Sequence, residues 1–342
     1  MIRLSVFLSV ILLSACAPTD QVNTISGPTM GTSYHIAWRG DGADAEALKI
    51  AVDQRLIEIN KSMSTYDPQS ELSLINKGEV AVDAEGWIAV SDGLEDVLQD
   101  SLAIHNKSEG LFDPTVGPLV NLWGFGPQAS LDKVPSDAEL DAAKQKVGFE
   151  ALTLDGASTR IRLSSPRYID LSAIAKGWGV DQIAELLEHQ GHASYMVEIG
   201  GEIRTAGVKP DGQAWRIAIE RPNSELQERA VELIIQPGSA AIATSGDYRN
   251  YFEQDGVRYS HTINPFSGRP ITHTLASVTV VADNCAMADG WATALNVAGP
   301  EKGLELAERN GLAVFMIVRD GDGFAERTSS AFRAKFPHYE SL

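Results

Sequence analysis

The sequence predicts an α+β fold: one compact unit of two interlocked lobes, with antiparallel strands gathered in its second half and amphipathic helices beside them. Three observations carry this expectation. Apolar residues alternate at Tyr34, Ile36 and Trp38 and again at Trp215, Ile217 and Ile219, the period of half-buried strands. They recur at spacings of three and four over residues 44–63 and 91–107, the period of helices with one buried face. The chain of 342 residues also has no internal repeat, low-complexity segment or linker. Its glycine- and proline-rich loops fall inside patterned regions, so nothing marks a domain boundary.

In chain order, residues 17–26 read as a short polar tether, and Gly27-Pro28-Thr29-Met30-Gly31-Thr32 as a tight turn into a strand at 33–39. Leu48, Val52, Leu56, Ile59 and Met63 line one face of a helix over 44–63, which Asp67-Pro68 breaks. Ser70 starts a short helix, and 91–107 forms another with Leu94, Leu98 and Leu102 inward. Residues 110–127 carry four glycines and three prolines around Phe112, Leu119, Trp123 and Phe125. That composition suggests a shaped apolar loop, either lining a pocket for a flat ring or filling the core as an irregular connection. Ser136 and Glu139 make a capping box for a helix ending at Gly148. Short strands follow near 151–154 and 160–163.

The next stretch organises the rest. Residues 167–171 read as a strand, and Lys176, Gly177 and Gly179 as a turn feeding a helix with Val180, Ile183, Ala184 and Leu187 on one face. Gly191 ends that helix, and a strand at 195–199 runs into Gly200-Gly201. A helix N-terminus there suits a phosphate, through its N–H groups and positive dipole end. Asp170, entering the turn, is placed to face a cation instead. Neither GxGxxG nor GxxxxGK[ST] is present, so the stretch by itself reads as a packing unit. Beyond it, 230–235 and 241–247 read as strands, and residues 259–265 end in the turn Phe266-Ser267-Gly268-Arg269-Pro270. A β-branched strand at 276–282 leads to a helix opened by Asn284 and Cys285. Pro300 begins a further helix to Asn310, and an apolar strand at 312–319 enters an Asp320-Gly321-Asp322-Gly323 hairpin.

The N-terminus carries an address. Arg3 precedes an apolar run over 4–13, closed by Leu13-Ser14-Ala15-Cys16, a signal-peptide pattern too short to span a bilayer. The tetrapeptide resembles a bacterial lipobox, which implies that residues 1–15 are removed, that Cys16 carries lipid, and that the protein is tethered to a membrane of the cell envelope facing the periplasm. The formal charge of −18 becomes about −19 when Arg3 leaves. A surface this acidic disfavours nucleic acid and anionic lipid. An anionic ligand would need a local cation or metal. Cys285 is the one cysteine left after Cys16, so no internal disulfide forms, and it reads as a buried small apolar residue.

Several chemistries are absent. There is no GxSxG elbow, Ser172 and Lys176 stand four apart and so miss the SxxK spacing, and neither HExxH nor CxxC occurs. What remains is hard-ligand chemistry: Asp170, Asp289 and the Thr293 hydroxyl are oxygen donors suited to Mg²⁺ or Ca²⁺. Asp289 and Thr293 stand at i and i+4 on one helix face. Without further context the same pair is a capping Asp and a packed Thr. His261, among polar residues before a tight turn, is a candidate general acid/base or phosphate-orienting group, or else a structural strand histidine.

Met30-Gly31-Thr32, DLSAIAKGWGVD, VEIGGEIRTAG, HTINPFSGRP and ADGWATAL occur in this order behind the lipobox. Together they resemble the ApbE family of FAD:protein FMN transferases, over nearly the whole mature chain, residues 27–342. The resemblance implies a T-fold-related α+β architecture of interwoven lobes and flanking helices, with FAD in the cleft between the lobes. It implies Mg²⁺-dependent transfer of FMN from FAD to a Ser/Thr hydroxyl of an acceptor protein, with release of AMP. The acceptors it implies are subunits of membrane redox complexes of the Rnf or Na⁺-pumping quinone reductase type, or other flavinylated extracytoplasmic proteins. Carried over by motif, Met30 and Tyr66 flank the flavin, and Leu111, Phe112, Asp113, Asp170, Lys176 and Ile263 contact FAD. The Ala173 carbonyl, Asp289 and Thr293 hold the metal, and His261 assists the acceptor hydroxyl. Two positions depart from the family pattern: Ala292 stands where some relatives carry a carboxylate, and Asn264 precedes Pro265 where the family turn often reads Asp-Pro. A Mg²⁺-dependent FAD diphosphatase, with water as acceptor, and a flavin-binding lipoprotein without turnover are the alternative readings.

Overall fold

The structure, a computed structural model, describes residues 20–127, 134–156, 158–222, 231–246, 251–254, 256–321 and 323–339. The expected signal peptide and Cys16 lie outside these residues, as do Asp247 and Asp322. The first half contains strands β1 (Gln21–Thr29), β2 (Thr32–Gly40), β3 (Ile88–Ala89), β4 (Leu152–Leu154) and β5 (Arg160–Leu163). With them come helices α1 (Ala45–Met63), α2 (Glu71–Lys77), α3 (Asp92–Lys107), α4 (Gly117–Leu122) and α5 (Asp137–Lys144). There follow α6 (Ala175–His189), β6 (Tyr195–Ile199), β7 (Glu202–Ala206), β8 (Ile217–Glu220), β9 (Val231–Ile235), β10 (Ala240–Gly246), β11 (Tyr251–Gln254), β12 (Val257–Ser260) and β13 (Leu275–Ala282). The chain closes with α7 (Cys285–Arg309), β14 (Ala313–Asp320), β15 (Gly323–Thr328) and α8 (Ser330–Lys335).

Eight strands form one sheet in the order β1-β2-β6-β7-β10-β13-β14-β15, every neighbouring pair antiparallel. The α+β fold expected, with mostly antiparallel sheets and flanking helices, is observed, its largest element being this antiparallel sheet. Strand alternation divides its two faces. Ala241, Ala243, Val278, Val280, Val314 and Met316 enter the main core with α1, α3, α6 and α7. Ile242, Val281, Phe315 and Ile317 point to the other face, where β8, β9 and α8 cover them. A third cluster packs Leu119, Trp123, Leu140 and Ala143 against Ile263, joining two segments far apart in sequence.

The helix at 44–63 appears where its periodicity places it, with all five of the named apolar residues buried. Ser70, Ser91 and Ser136 cap α2, α3 and α5, the last in a capping box. α5 ends at Lys144, ahead of Gly148. α7 breaks at Gly299 (φ 79°) before Pro300, which accounts for the two helices expected there. Cys285 is fully buried.

Four local expectations are corrected. Gln21–Thr29 is an edge strand paired with β2 along its length, so the tether expected over 17–26 cannot extend past residue 20. An edge strand needs little buried side chain, so polar composition hides it. The tight turn is correspondingly only Met30-Gly31, both at positive φ. Residues 167–171 form no strand and join no sheet. Ile169 exchanges two hydrogen bonds of 2.8 Å with the Asn76 side chain, and Asp170 N–H donates to the Pro114 carbonyl at 2.7 Å. The ladder is replaced by an amide side chain that periodicity cannot reveal. Lastly, Gly177 and Gly179 lie inside α6 rather than in a turn before it. A Cβ on Gly177 would stand 2.3 Å from the Cys285 carbonyl oxygen, and one on Gly179 would stand 2.9 Å from the Met30 methyl. These glycines permit close approach of α7 and the β1–β2 turn.

Candidate active-site cleft

One cleft, with a volume of about 870 Å³, gathers most of the predicted site residues. Tyr66, Leu111, Phe112, Asp113, Asp170, Ala173, Lys176, His261, Ile263, Asp289 and Thr293 all line it. Met30 does not line it and packs over Gly179, beside the cleft residues Thr32 and Ser33. Its φ of 48° is a left-handed conformation that a non-glycine residue rarely holds. The two-residue hairpin turn imposes it.

Residues 110–127 both fill the core and line the cleft. Phe112, Leu119 and Trp123 are buried, and α4 gives the segment a helical turn that its composition hides. Leu111, Phe112, Val116, Val120 and Phe125 also form one apolar wall of the cleft. A volume and a wall of this kind suit a ligand with a flat ring. Tyr66 lines the cleft while 68% exposed. Asp113 is half-buried beside the same wall. Burial raises its pKa, and bonds from Thr115 N–H (2.7 Å) and Oγ1 (2.6 Å) oppose the rise.

The opposite end is polar. Lys176 Nζ lies 2.7 Å from Glu202 Oε1 and 3.6 Å from Asp289 Oδ2. Both carboxylates are buried, with 7% and 5% of their side-chain surface exposed, whereas Lys176 keeps 28% and is reachable from the cleft. Burial disfavours the ammonium, yet Asp289 and Glu202 outweigh it and hold the lysine pKa above its ordinary value. Lys176 is therefore a fixed positive charge in an acidic chain. Asp289 Oδ2 also accepts the Gly177 N–H at 3.1 Å, and Ala175 N–H donates to the Leu171 carbonyl at 2.8 Å. Two of the α6 first-turn donors expected to meet a phosphate are thus taken by protein oxygens. The positive charge left facing the cleft at this end is Lys176.

Asp170 Oδ1 accepts from Ser172 N–H (2.9 Å) and Oγ (2.6 Å), which leaves Oδ2 for the cleft. Thr293 Oγ1 lies 3.3 Å from Ser245 Oγ. Among the described residues no three His, Cys, Asp or Glu side chains cluster as a metal site. A cation here would draw on one carboxylate, a hydroxyl, a backbone carbonyl and the oxygens of a ligand, the partial shell in which Mg²⁺ commonly sits. Asp289, Thr293 and the Ala173 carbonyl supply that donor set, and Glu202 Oε2, buried without a partner, adds to the negative field around it. The residues present fit the ion. Ala292 is fully buried in the main core, so its side chain serves packing. Asn264 Oδ1 accepts from Phe266 and Ser267 N–H, the turn-forming work an Asp would do there. His261 is half-buried, edge-on to Phe125 with ring centroids 6.3 Å apart, and so lines the cleft against its apolar wall.

Glu202 went unnoticed in the sequence. The signal available was a carboxylate directly after Gly200-Gly201 at the start of a strand. Burial, with Asp289 adding to it, pushes its pKa up to about 7 against the pull of Lys176. A carboxyl whose folded pKa exceeds its unfolded one binds protons more tightly when folded, so its stabilisation is present at low pH and lost as pH rises towards 7. We expect the stability of the wild type relative to Glu202→Gln to fall on the order of 3 kcal/mol between about pH 5 and pH 8. Denaturant unfolding of both proteins measures it. Parallel pH profiles would refute the assignment.

Known proteins resemble this chain in both sequence and fold. The sequence profile of the ApbE family matches residues 30–316. A Vibrio cholerae protein called FAD:protein FMN transferase is 50% identical over 328 residues, covering 95% of this chain and 96% of its own length. The solved structure of the flavin transferase ApbE from Vibrio cholerae superposes with a TM-score of 0.84 at 48% identity, over 92% of this chain and 99% of that one. The apo Pseudomonas stutzeri flavinyl transferase ApbE gives a TM-score of 0.83 at 42% identity, over 93% and 97%.

Proposed function

The chain belongs to the ApbE family, and from that premise we propose that it is a FAD:protein FMN transferase. The observation that carries the proposal is the joining, in one cleft, of an apolar wall fit for a flavin to a polar end fit for a diphosphate and its cation. The acceptor hydroxyl oxygen attacks the flavin-side phosphorus of FAD, forming a P–O bond. The bond from that phosphorus to the oxygen bridging to AMP breaks, and AMP leaves with the electron pair. Phosphoryl transfer of this kind depends on positioning and charge neutralisation more than on a strong nucleophile. Leu111, Phe112 and Tyr66 orient the ring, Lys176 faces the diphosphate, and His261 accepts the hydroxyl proton.

Mg²⁺ is the cation proposed. The Ala173 carbonyl, Asp289 and Thr293 would hold it, and it would supply charge neutralisation on the phosphate oxygens. The proposed acceptor is a Ser/Thr-bearing subunit of an extracytoplasmic redox complex, of the Rnf or Na⁺-pumping quinone reductase type. Lipid on Cys16 and a periplasmic position on a membrane are proposed with it, supported by the lipobox alone.

Incubation with FAD and Mg²⁺, with and without an acceptor of this type, tests the function. We expect covalent flavin on the acceptor and one AMP per flavin transferred. Free FMN and AMP at equal rates without acceptor would make the protein a diphosphatase. FAD retained with no AMP would make it a binding protein.

A further inference from the structure

The DLSAIAKGWGVD motif ends on Asp181, a residue with no part in the site so far. It is 5% exposed and does not line the cleft. Its carboxylate accepts the Cys285 N–H through both oxygens (2.9 and 2.8 Å), the Ala286 N–H at 2.9 Å and Arg204 Nη1 at 2.9 Å. The Asn284 side chain takes the Met287 N–H at 2.9 Å. The first three N–H groups of α7 therefore end on side chains, and two of them on a residue of another helix. A buried anion at a helix N-terminus is favoured by the aligned peptide dipoles. Here it also ties two helices together.

The tie is reciprocal. Asp289, four residues after Cys285, accepts the N–H of Gly177, four residues before Asp181. Each helix thus lends a carboxylate to the first turn of the other, and the absence of a side chain at Gly177 lets them meet. A shift of α7 along its axis would strand the buried Asp181 charge, which is costly. The same shift would carry Asp289 and Thr293 away from Ala173 and Lys176.

We infer that Asp181 is a positioning residue: by fixing the register of α7 on α6 it holds the Asp289 and Thr293 oxygens at the place where the cation binds. The inference rests on the reading of Asp289 and Thr293 as cation ligands. Groups that orient metal ligands typically change metal affinity about 10- to 100-fold when lost.

Mn²⁺ titrated into the full chain at saturating FAD, with free Mn²⁺ followed by electron paramagnetic resonance, measures this apart from turnover. Asp181→Asn, which keeps the shape but places an amide among three donors, is expected to weaken Mn²⁺ binding about tenfold or more. Ser329→Ala, which removes the α8 cap beyond the far face of the sheet, is expected to lower the unfolding temperature and leave Mn²⁺ affinity unchanged. Should Asp181→Asn not fold, Arg204→Met removes a single donor and is expected to weaken binding about threefold. Wild-type affinity in whichever of these two variants folds overturns the inference. Asp289→Ala in the same titration separates the two levels. If it binds Mn²⁺ as the wild type does, the cation reading fails and the inference with it. If it loses binding while Asp181→Asn keeps it, the positioning role alone fails.

Discussion

Asp289→Ala is expected to abolish covalent flavin transfer, lowering the rate about a thousandfold or more. Three demands meet on this side chain. It is the one carboxylate of the proposed cation shell, it lies 3.6 Å from the Lys176 ammonium, and it accepts the Gly177 N–H. Its removal leaves the diphosphate charge unneutralised and a buried N–H unpaired, the latter worth about 1–3 kcal/mol of stability. Asp289→Asn separates the two losses, because the amide oxygen still accepts from Gly177 while the charge is gone. We expect the Asn variant to melt near the wild type and still fail to transfer flavin, as read by in-gel fluorescence of the acceptor. Full activity in either variant would remove the cation from the mechanism.

The second large effect is expected at His261. His261→Ala should lower kcat for transfer about 10²–10⁴-fold, the usual contribution of a positioned general base, with little change in the KM for FAD. The physical ground is its position, half-buried in the cleft lining beside Phe125. Single-turnover transfer at saturating FAD and acceptor reads the chemical step. A variant that loses FAD affinity but transfers at the wild-type rate once saturated would make His261 a binding residue. With His261 as the proposed base for the acceptor hydroxyl, release of AMP should fall in step with covalent flavin.

Much of the fold was legible residue by residue. The α1 helix is readable because its five inward residues bury themselves by local geometry alone, and Ser70, Ser91 and Ser136 because a cap is satisfied within three residues. β2 and β13 are apolar enough for their strand character to survive in the sequence. β1 is not, since as an edge strand it needs pairing more than burial. Gly177 and Gly179 suggested a turn because glycine in sequence marks conformational freedom, whereas here it marks a shortage of space.

The sequence by itself determined which side chains could do this chemistry: the oxygen donors Asp170, Asp289 and Thr293, the lysine, the histidine and the apolar loop, and the resemblance that joined them. Only the tertiary structure decided that Lys176 stands between Asp289 and Glu202, that two α6 N–H groups are already taken, and that Asp181 ties the two helices. The reason is range. Periodicity and capping act within a few residues, so local sequence records them. A buried charge must instead be paired by whatever the fold brings within about 4 Å, and for Lys176 those partners lie 26 and 113 residues away.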